Sequence, residues 1–527
     1  MKKLPSLLVA FLLLTFCAMA EAQSQFHKSQ PGLKDKESSS QKSQPGKRTD
    51  DGQASHKSQP GRPEKDSDAS KKQKHTVIVL EKDLPSDFVV RPSDKFVEID
   101  EDLSSAIDNH QTSRALKIIQ SPSFDAEKNG PALLAAADEV LPSVVQALID
   151  AEVNILQHGS SAVFVIASST ETDPDIIGKQ LDILDKLFAA GALTSYKNSD
   201  GMTTLSMAAR SPNKRILERI LQEQPKIDLL DDDDSNAFFL VDNVENAKLL
   251  LQAGLKLDQT NKSGENALMA QLGLSVDNSD LINFLLDQAP SLAKGIDHDK
   301  RTVLMYAAKA RPISPDVMNR LIKSADPNAK DKFGRTALMY LASKGDIDKE
   351  VYPGIEEAAK ALIKVSDETI PDNDRKTVLM YDAFGGVTKI LDSMNKLTPQ
   401  LITHKDRSGR TALMVAAENQ DLEVVEQLLA AMEALQIKEA VDAQDNEGNT
   451  ALIWALKQEY YIYSNHFDIP DPMYEESGWP IEEETRAAIV GALLAAQADK
   501  TIPNHEGWTP LTFAQDRGYS ECERLLR

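Results

Sequence analysis

Between residues 405 and 429 (KDRSGRTALMVAAENQDLEVVEQLL) apolar positions fall into two short helical stripes set off by polar turns. Residues 406–409 carry turn chemistry: an Asp side chain that bonds nearby backbone, and a Gly that tolerates positive φ. Thr411 stands where an N-cap is wanted, so its hydroxyl can accept an orphan N–H of the first helical turn. Leu413, Ala416 and Ala417 give this helix one apolar face, small enough for a partner helix to lie close. Val424, Val425, Leu428 and Leu429 recur at helical spacing and predict a second amphipathic helix. A unit of turn, helix and helix has too little apolar surface to fold alone.

The same words return along the chain: DHDKRTVLMYAAK at 297–309, KDKFGRTALMYLAS at 330–343, DNDRKTVLMYDA at 372–383 and DNEGNTALIWAL at 445–456. NSDGMTTLSMAA at 198–209, NKSGENALMAQL at 261–272 and NHEGWTPLTFA at 504–514 complete the set. The register leucines lie 34 residues apart between Leu304 and Leu338, and again between Leu379 and Leu413. Two helices per unit at a period in the low thirties resemble the ankyrin pattern D-x-x-G-x-T-P-L-H-x-A-A. Thr509-Pro510-Leu511 keeps the Thr-Pro-Leu, while Met305, Met339, Met380 and Met414 stand where the family has His. Those methionines keep the helix start and imply loss of the family's histidine hydrogen-bond network. Further units open near Asn129, His158, Asp200 and Asp231, and residues 103–119 read as a degenerate first pair. The resemblance implies an all-α, ankyrin-type solenoid of about twelve helix-turn-helix repeats over residues 101–527, with polar terminal units. It also implies a concave face of turn tips and first helices that binds proteins.

The N-terminal part follows other rules. Residues 1–20 have Lys2 and Lys3, an apolar run and Ala18-Met19-Ala20, which reads as a bacterial secretory signal cleaved after Ala20. Phe16 before Cys17 argues against lipidation. A periplasmic or secreted address, without stable membrane insertion, is the expectation. Residues 21–74 carry almost no large apolar side chains and contain KSQPG three times, so a disordered tether is expected. Residues 75–100 form a transition with β-branched fragments (HTVIVLE, FVVRP, KFVEI) and are expected to lie along the first repeat as a cap.

The net charge of −23 is unevenly spread: the first 74 residues carry an excess of six positive charges, leaving the solenoid more acidic than the whole. Such a body disfavours nucleic acid and anionic membrane and favours basic partners. There is no HExxH, Walker loop, GxSxG or CxxC, and the nine histidines are scattered. The acidic run Asp231–Asp234 lacks calcium-loop spacing and reads as a solvated turn. With Cys17 removed, Cys522 is the sole cysteine, aligned with a buried second-helix position. No catalytic residue, metal or cofactor is therefore assigned, and a monomer is expected.

Two features are candidates for a partner. Arg301, Arg335, Lys376 and Arg410 occupy one turn position in four successive repeats, with Lys300, Lys332, Arg375 and Arg407 close by. They predict a basic ridge, free to reach an acidic protein surface while the turn Asp residues are held locally. The insertion at 458–485 holds Tyr460, Tyr461, Tyr463 and Trp479, which either pack back on the solenoid or anchor a partner; Trp508 ends the row of turn tips. The leading reading is a non-catalytic interaction protein, an immunity-type inhibitor or a secreted effector that binds a host protein. The competing one is an enzyme or small-molecule binder with its site at the aromatic insertion.

Overall fold

The computed structural model describes residues 88–91, 100–274, 277–310, 314–343, 355–385, 397–457 and 483–527. All of them fall in one compact unit, Thr76–Arg527. The signal at 1–20, the tail at 21–74, most of the transition segment and Tyr460, Tyr461, Tyr463 and Trp479 lie outside the described residues.

The fold is an all-α, ankyrin-type solenoid. Among the described residues eleven units show both members of a helix pair, from Glu101–Asp108 with Thr112–Ile119 to Pro510–Arg517 with Ser520–Leu526, and a further unit shows its first helix, Val378–Gly385. The clearest are Val303–Lys309 with Pro315–Ile322, Ala337–Ala342 with Ile355–Ile363, and Ala412–Glu418 with Leu422–Ala434. In the fifth pair the first helix shrinks to a 3-10 turn, Ala237–Phe239, before Val244–Gln252. First helices pack on first helices of neighbouring units, and second on second. No strand occurs among the described residues, only isolated bridges such as Ile296 with Thr302, which close the turns.

Local sequence accounts for the helix starts. The hydroxyls of Thr302, Thr336 and Thr411 accept the N–H of Met305, Met339 and Met414, three residues on. The methionine sulfurs answer by accepting the Thr N–H at 3.4–3.5 Å, forming a reciprocal cap. The His-to-Met replacement thus removes a polar ring yet leaves an acceptor on the helix start, and stacking stays regular. Gly254 ends its helix at φ 93°, as a left-handed C-terminal residue should.

The register leucines Leu304, Leu338, Leu379, Leu413 and Leu452 are all buried. Each contributes about 1.5–3 kcal/mol relative to an exposed side chain. One core cluster runs from Leu103 to Tyr381 and a second from Leu379 to Leu526. They meet inside the helix Val378–Gly385, which supplies residues to both. Cys522 is buried in the second cluster, in the last helix Ser520–Leu526, and burial pushes its thiol up to about 11, the behaviour of a small core residue.

The transition segment departs from expectation. Residues 88–91 do not cap the first repeat; they lie against the third to fifth units. The Val90 N–H donates to the Ser195 carbonyl (2.8 Å), and the Lys197 N–H donates to the Val90 carbonyl (2.9 Å). The apolar contact that draws it there is with Leu193 and Tyr196, a site the first repeat does not offer.

Candidate functional site: the row of turns

Each clear repeat opens on Asp or Asn, and one side-chain oxygen builds the turn. Asp331 Oδ1 accepts the N–H groups of Phe333 and Arg335, both at 2.8 Å. Asp445 does the same for Glu447 and Asn449, and Asn504 for Glu506 and Trp508. The fourth turn residue must be left-handed: Gly264, Gly334, Gly409, Gly448 and Gly507 have φ near 80–86°. Lys300 and Arg375 take the same conformation at 62° and 64°, although a Cβ makes it costly.

Successive turns are then joined by main-chain hydrogen bonds. Lys262 donates to Asp233, His298 to Ser263, Lys332 to Asp299 and Asn373 to Phe333. Arg407 donates to Asp374, Asn446 to Ser408 and His505 to Glu447, all at 2.8–3.0 Å. Eight turns, from 231 to 507, thereby form one continuous row. A side chain at Gly334 would sit 2.7 Å from the Asn373 nitrogen, so glycine also permits this close approach.

In Asp297, Asp331, Asp372, Asp406 and Asp445 the second carboxylate oxygen holds side chains. Asp331 Oδ2 accepts from Arg335 Nε (2.7 Å) and the Tyr340 hydroxyl (2.8 Å). Asp297 accepts from Arg301 Nε (2.6 Å) and Tyr306 (2.9 Å), and Tyr306 also reaches Glu265. Asp372 takes Tyr381 at 2.7 Å and Asp445 takes the Trp454 indole at 3.0 Å. Where Val415 replaces the aromatic residue, Arg410 pairs with Asp406 and Glu418 and lies over Trp454 of the next repeat. The guanidinium of Arg335 is sandwiched between Phe333 and Tyr340, at 4.5 and 4.8 Å from their ring centres. Burial, with the carboxylate bonds, raises the Tyr306 and Tyr381 hydroxyls above their usual range and keeps them neutral donors. Burial opposes the Arg301 charge most strongly, but its bond to Asp297 together with the surrounding charge interactions more than offsets this and raises its pKa.

This corrects the expectation of a free basic ridge. Arg301, Arg335 and Arg410 do not reach outward: each folds back on the Asp four residues earlier, and the Arg335 side chain is only 7% exposed. The carboxylate oxygen left over from turn building attracts the nearest guanidinium, and aromatic stacking fixes it. Lys376 shares the turn position, its N–H held by Asp372, with its charge acting on Glu418. Trp508 is half-buried, its ring 5.2 Å from that of Phe513. The outward charges instead include Lys332, paired with Asp299, Arg407, paired with Asp374, and the exposed Lys300 and Arg375. Phe333 at the tip is 43% exposed. Sequence reasoning missed Tyr306, Tyr340, Tyr381 and Trp454, although each stands nine residues after its turn Asp. Among the described residues no His, Cys, Asp and Glu side chains cluster as metal ligands, and no helix is long and apolar enough to cross a membrane.

Residues 237–331 and 386–465 match the family described as ankyrin repeats (3 copies). Ankyrin repeats are recognised in this chain. An ankyrin repeat domain from Acinetobacter baumannii AYE is 28% identical, covering 42% of this chain and 95% of its own, with a TM-score of 0.30. The ankyrin repeat protein EF0377 is 23% identical over the same shares, also at 0.30. No curated protein matches. Ankyrin repeats indicate a protein–protein interaction scaffold, a fold typically non-catalytic.

Proposed function

We propose that this protein is a non-catalytic binder of the bacterial envelope or secreted space that engages a protein partner through its row of turns and first helices. The row itself supports the reading. Eight turns held by main-chain bonds and by Asp or Asn side-chain oxygens form a preorganised surface, which lowers the ordering cost of association. Arg301, Arg335 and Arg410 act by fixing the aromatic side chains of that surface. Phe333, Lys332, Lys376, Arg407 and Trp508 supply contacts, with Tyr460, Tyr461, Tyr463 and Trp479 as further anchors from the insertion. An immunity-type inhibitor and a secreted effector are both uses of such a surface. The lysine-led apolar segment at residues 1–20 supports the address.

The experiment places a photo-crosslinking phenylalanine analogue at Phe333 and, separately, at Val365, which is comparably exposed (41%) at the end of a second helix. In the native host, adducts to one protein species are expected from position 333 and not from 365. Adducts from 365 alone, or equal labelling from both, contradict the assignment of the binding face.

A further inference from the structure

Residues 88–91 (Phe-Val-Val-Arg) are bound as a peptide ligand would be. The receptor side comes entirely from residues 157–232 of the solenoid. Val90 pairs in parallel register with Tyr196, giving and taking one main-chain hydrogen bond. The Phe88 carbonyl accepts from Lys226 Nζ (2.7 Å), whose ammonium also stands 5.8 Å from the Phe88 ring centre. The Arg91 carbonyl accepts from Gln157 Nε2 at 2.9 Å. Side chains are read as well as backbone. Val90 is buried against Leu193 and Tyr196, with Phe88 and Phe164 packed beside them. Arg91 forks onto both oxygens of Asp232, at 2.9 and 3.2 Å, and Lys197 holds the same carboxylate at 3.0 Å. Backbone pairing for affinity and pockets for alternate side chains for specificity are the mark of strand-addition recognition.

We propose that this groove is a sequence-selective peptide site for an extended aromatic-x-Val-Arg segment of a partner protein, with residues 88–91 its resident ligand. The occupant follows from the chemistry. An aromatic residue is placed by the Lys226 cation and Phe164, a β-branched residue by Leu193 and Tyr196, and an arginine by the Asp232 fork. The residue between them, Val89, is only half-buried, so its identity is read less strictly. Pro92 follows Arg91 and cannot donate to a continued pairing, so the pairing ends there on its C-terminal side. The resident segment is tethered at an effective concentration on the order of millimolar, so an outside segment must outcompete it or meet a chain in which it is displaced.

The test uses the full chain and a fluorescein-labelled peptide of residues 86–92, followed by anisotropy. Val90→Asp with Arg91→Ala releases the resident segment, and this chain should bind the peptide at least tenfold more tightly than the natural one. Adding Asp232→Asn should weaken binding several-fold, and a scrambled peptide should not bind. No binding by the released chain with its helicity intact overturns the proposal, as does binding indifferent to Asp232 or to peptide order. If the double change unfolds the chain, Arg91→Ala alone decides: it should raise peptide affinity, and an unchanged affinity overturns the proposal. Neither outcome bears on the turn row, whose crosslinking test involves other residues.

Discussion

The two ends of the solenoid hold their turns together by different means. From Asp231 onward the device is repeated and local: an Asx oxygen closes each turn, a left-handed residue admits the next turn, and a main-chain bond ties the two. At the junction before it, between the turn at 198–201 and that at 231–234, a foreign segment does the work. Val90 pairs with residues 195–197 of one unit, and Arg91 clamps Asp232 of the next. The difference teaches that regular stacking depends on a short turn sequence. Where the early units diverge from it, stability comes from a contact 141 residues away in the chain.

Asp331 and Asp232 put that comparison on a common scale. Asp331→Ala leaves buried Arg335 without its carboxylate and two turn N–H groups without an acceptor. It should cost about 3–5 kcal/mol, read by denaturant unfolding. Asp232→Ala breaks a half-exposed pair and should cost below about 1 kcal/mol. Equal costs would erase the distinction between built-in and imported support. Thr336→Ala should cost about 1 kcal/mol by removing one reciprocal cap, with Met339 left in place. Lys300→Gly should stabilise by about 0.5–1 kcal/mol, because the lysine is held at φ 62° where other turns place glycine. A loss of stability there would mean that the Lys300 side chain contributes more than its backbone conformation costs.

The smallest effect is on pH. The Arg91 guanidinium first, and Lys197 next, hold the Asp232 carboxyl well below the usual carboxylate range. Docking of residues 88–91 depresses this group, so the gain from the pair is present above the ordinary Asp value and is lost progressively as pH falls from there toward the depressed value. Val90 methyl resonances should begin to shift toward a released position below about pH 4, and Asp232→Asn should abolish that dependence.

Much of this architecture was legible in the residues. Thr411 before an apolar stripe announces a cap, the leucine spacing announces the stacked core, and Gly254 announces a helix end. Cys522 falls on the buried side of its helix, as alignment with Val425 indicates. What escaped is the second use of a single group. An Asp that closes a turn explains its own presence, so nothing in sequence says that its other oxygen binds Arg335 and Tyr340 as well. Nor does a methionine in a histidine slot advertise its sulfur as a hydrogen-bond acceptor. The docking of residues 88–91 escaped for another reason: three β-branched and aromatic residues between prolines predict extended backbone but not the surface it meets.

The turns form one hydrogen-bonded row that presents a rigid surface. Amide hydrogen exchange at those turns tests it most directly. The N–H groups of Lys332, Asn373, Arg407 and Asn446 should exchange slowly although they lie in surface turns, and Asp331→Ala should accelerate Lys332 and Asn373. Exchange at all four at the rate of open, unbonded surface amides, unchanged by that substitution, would contradict it.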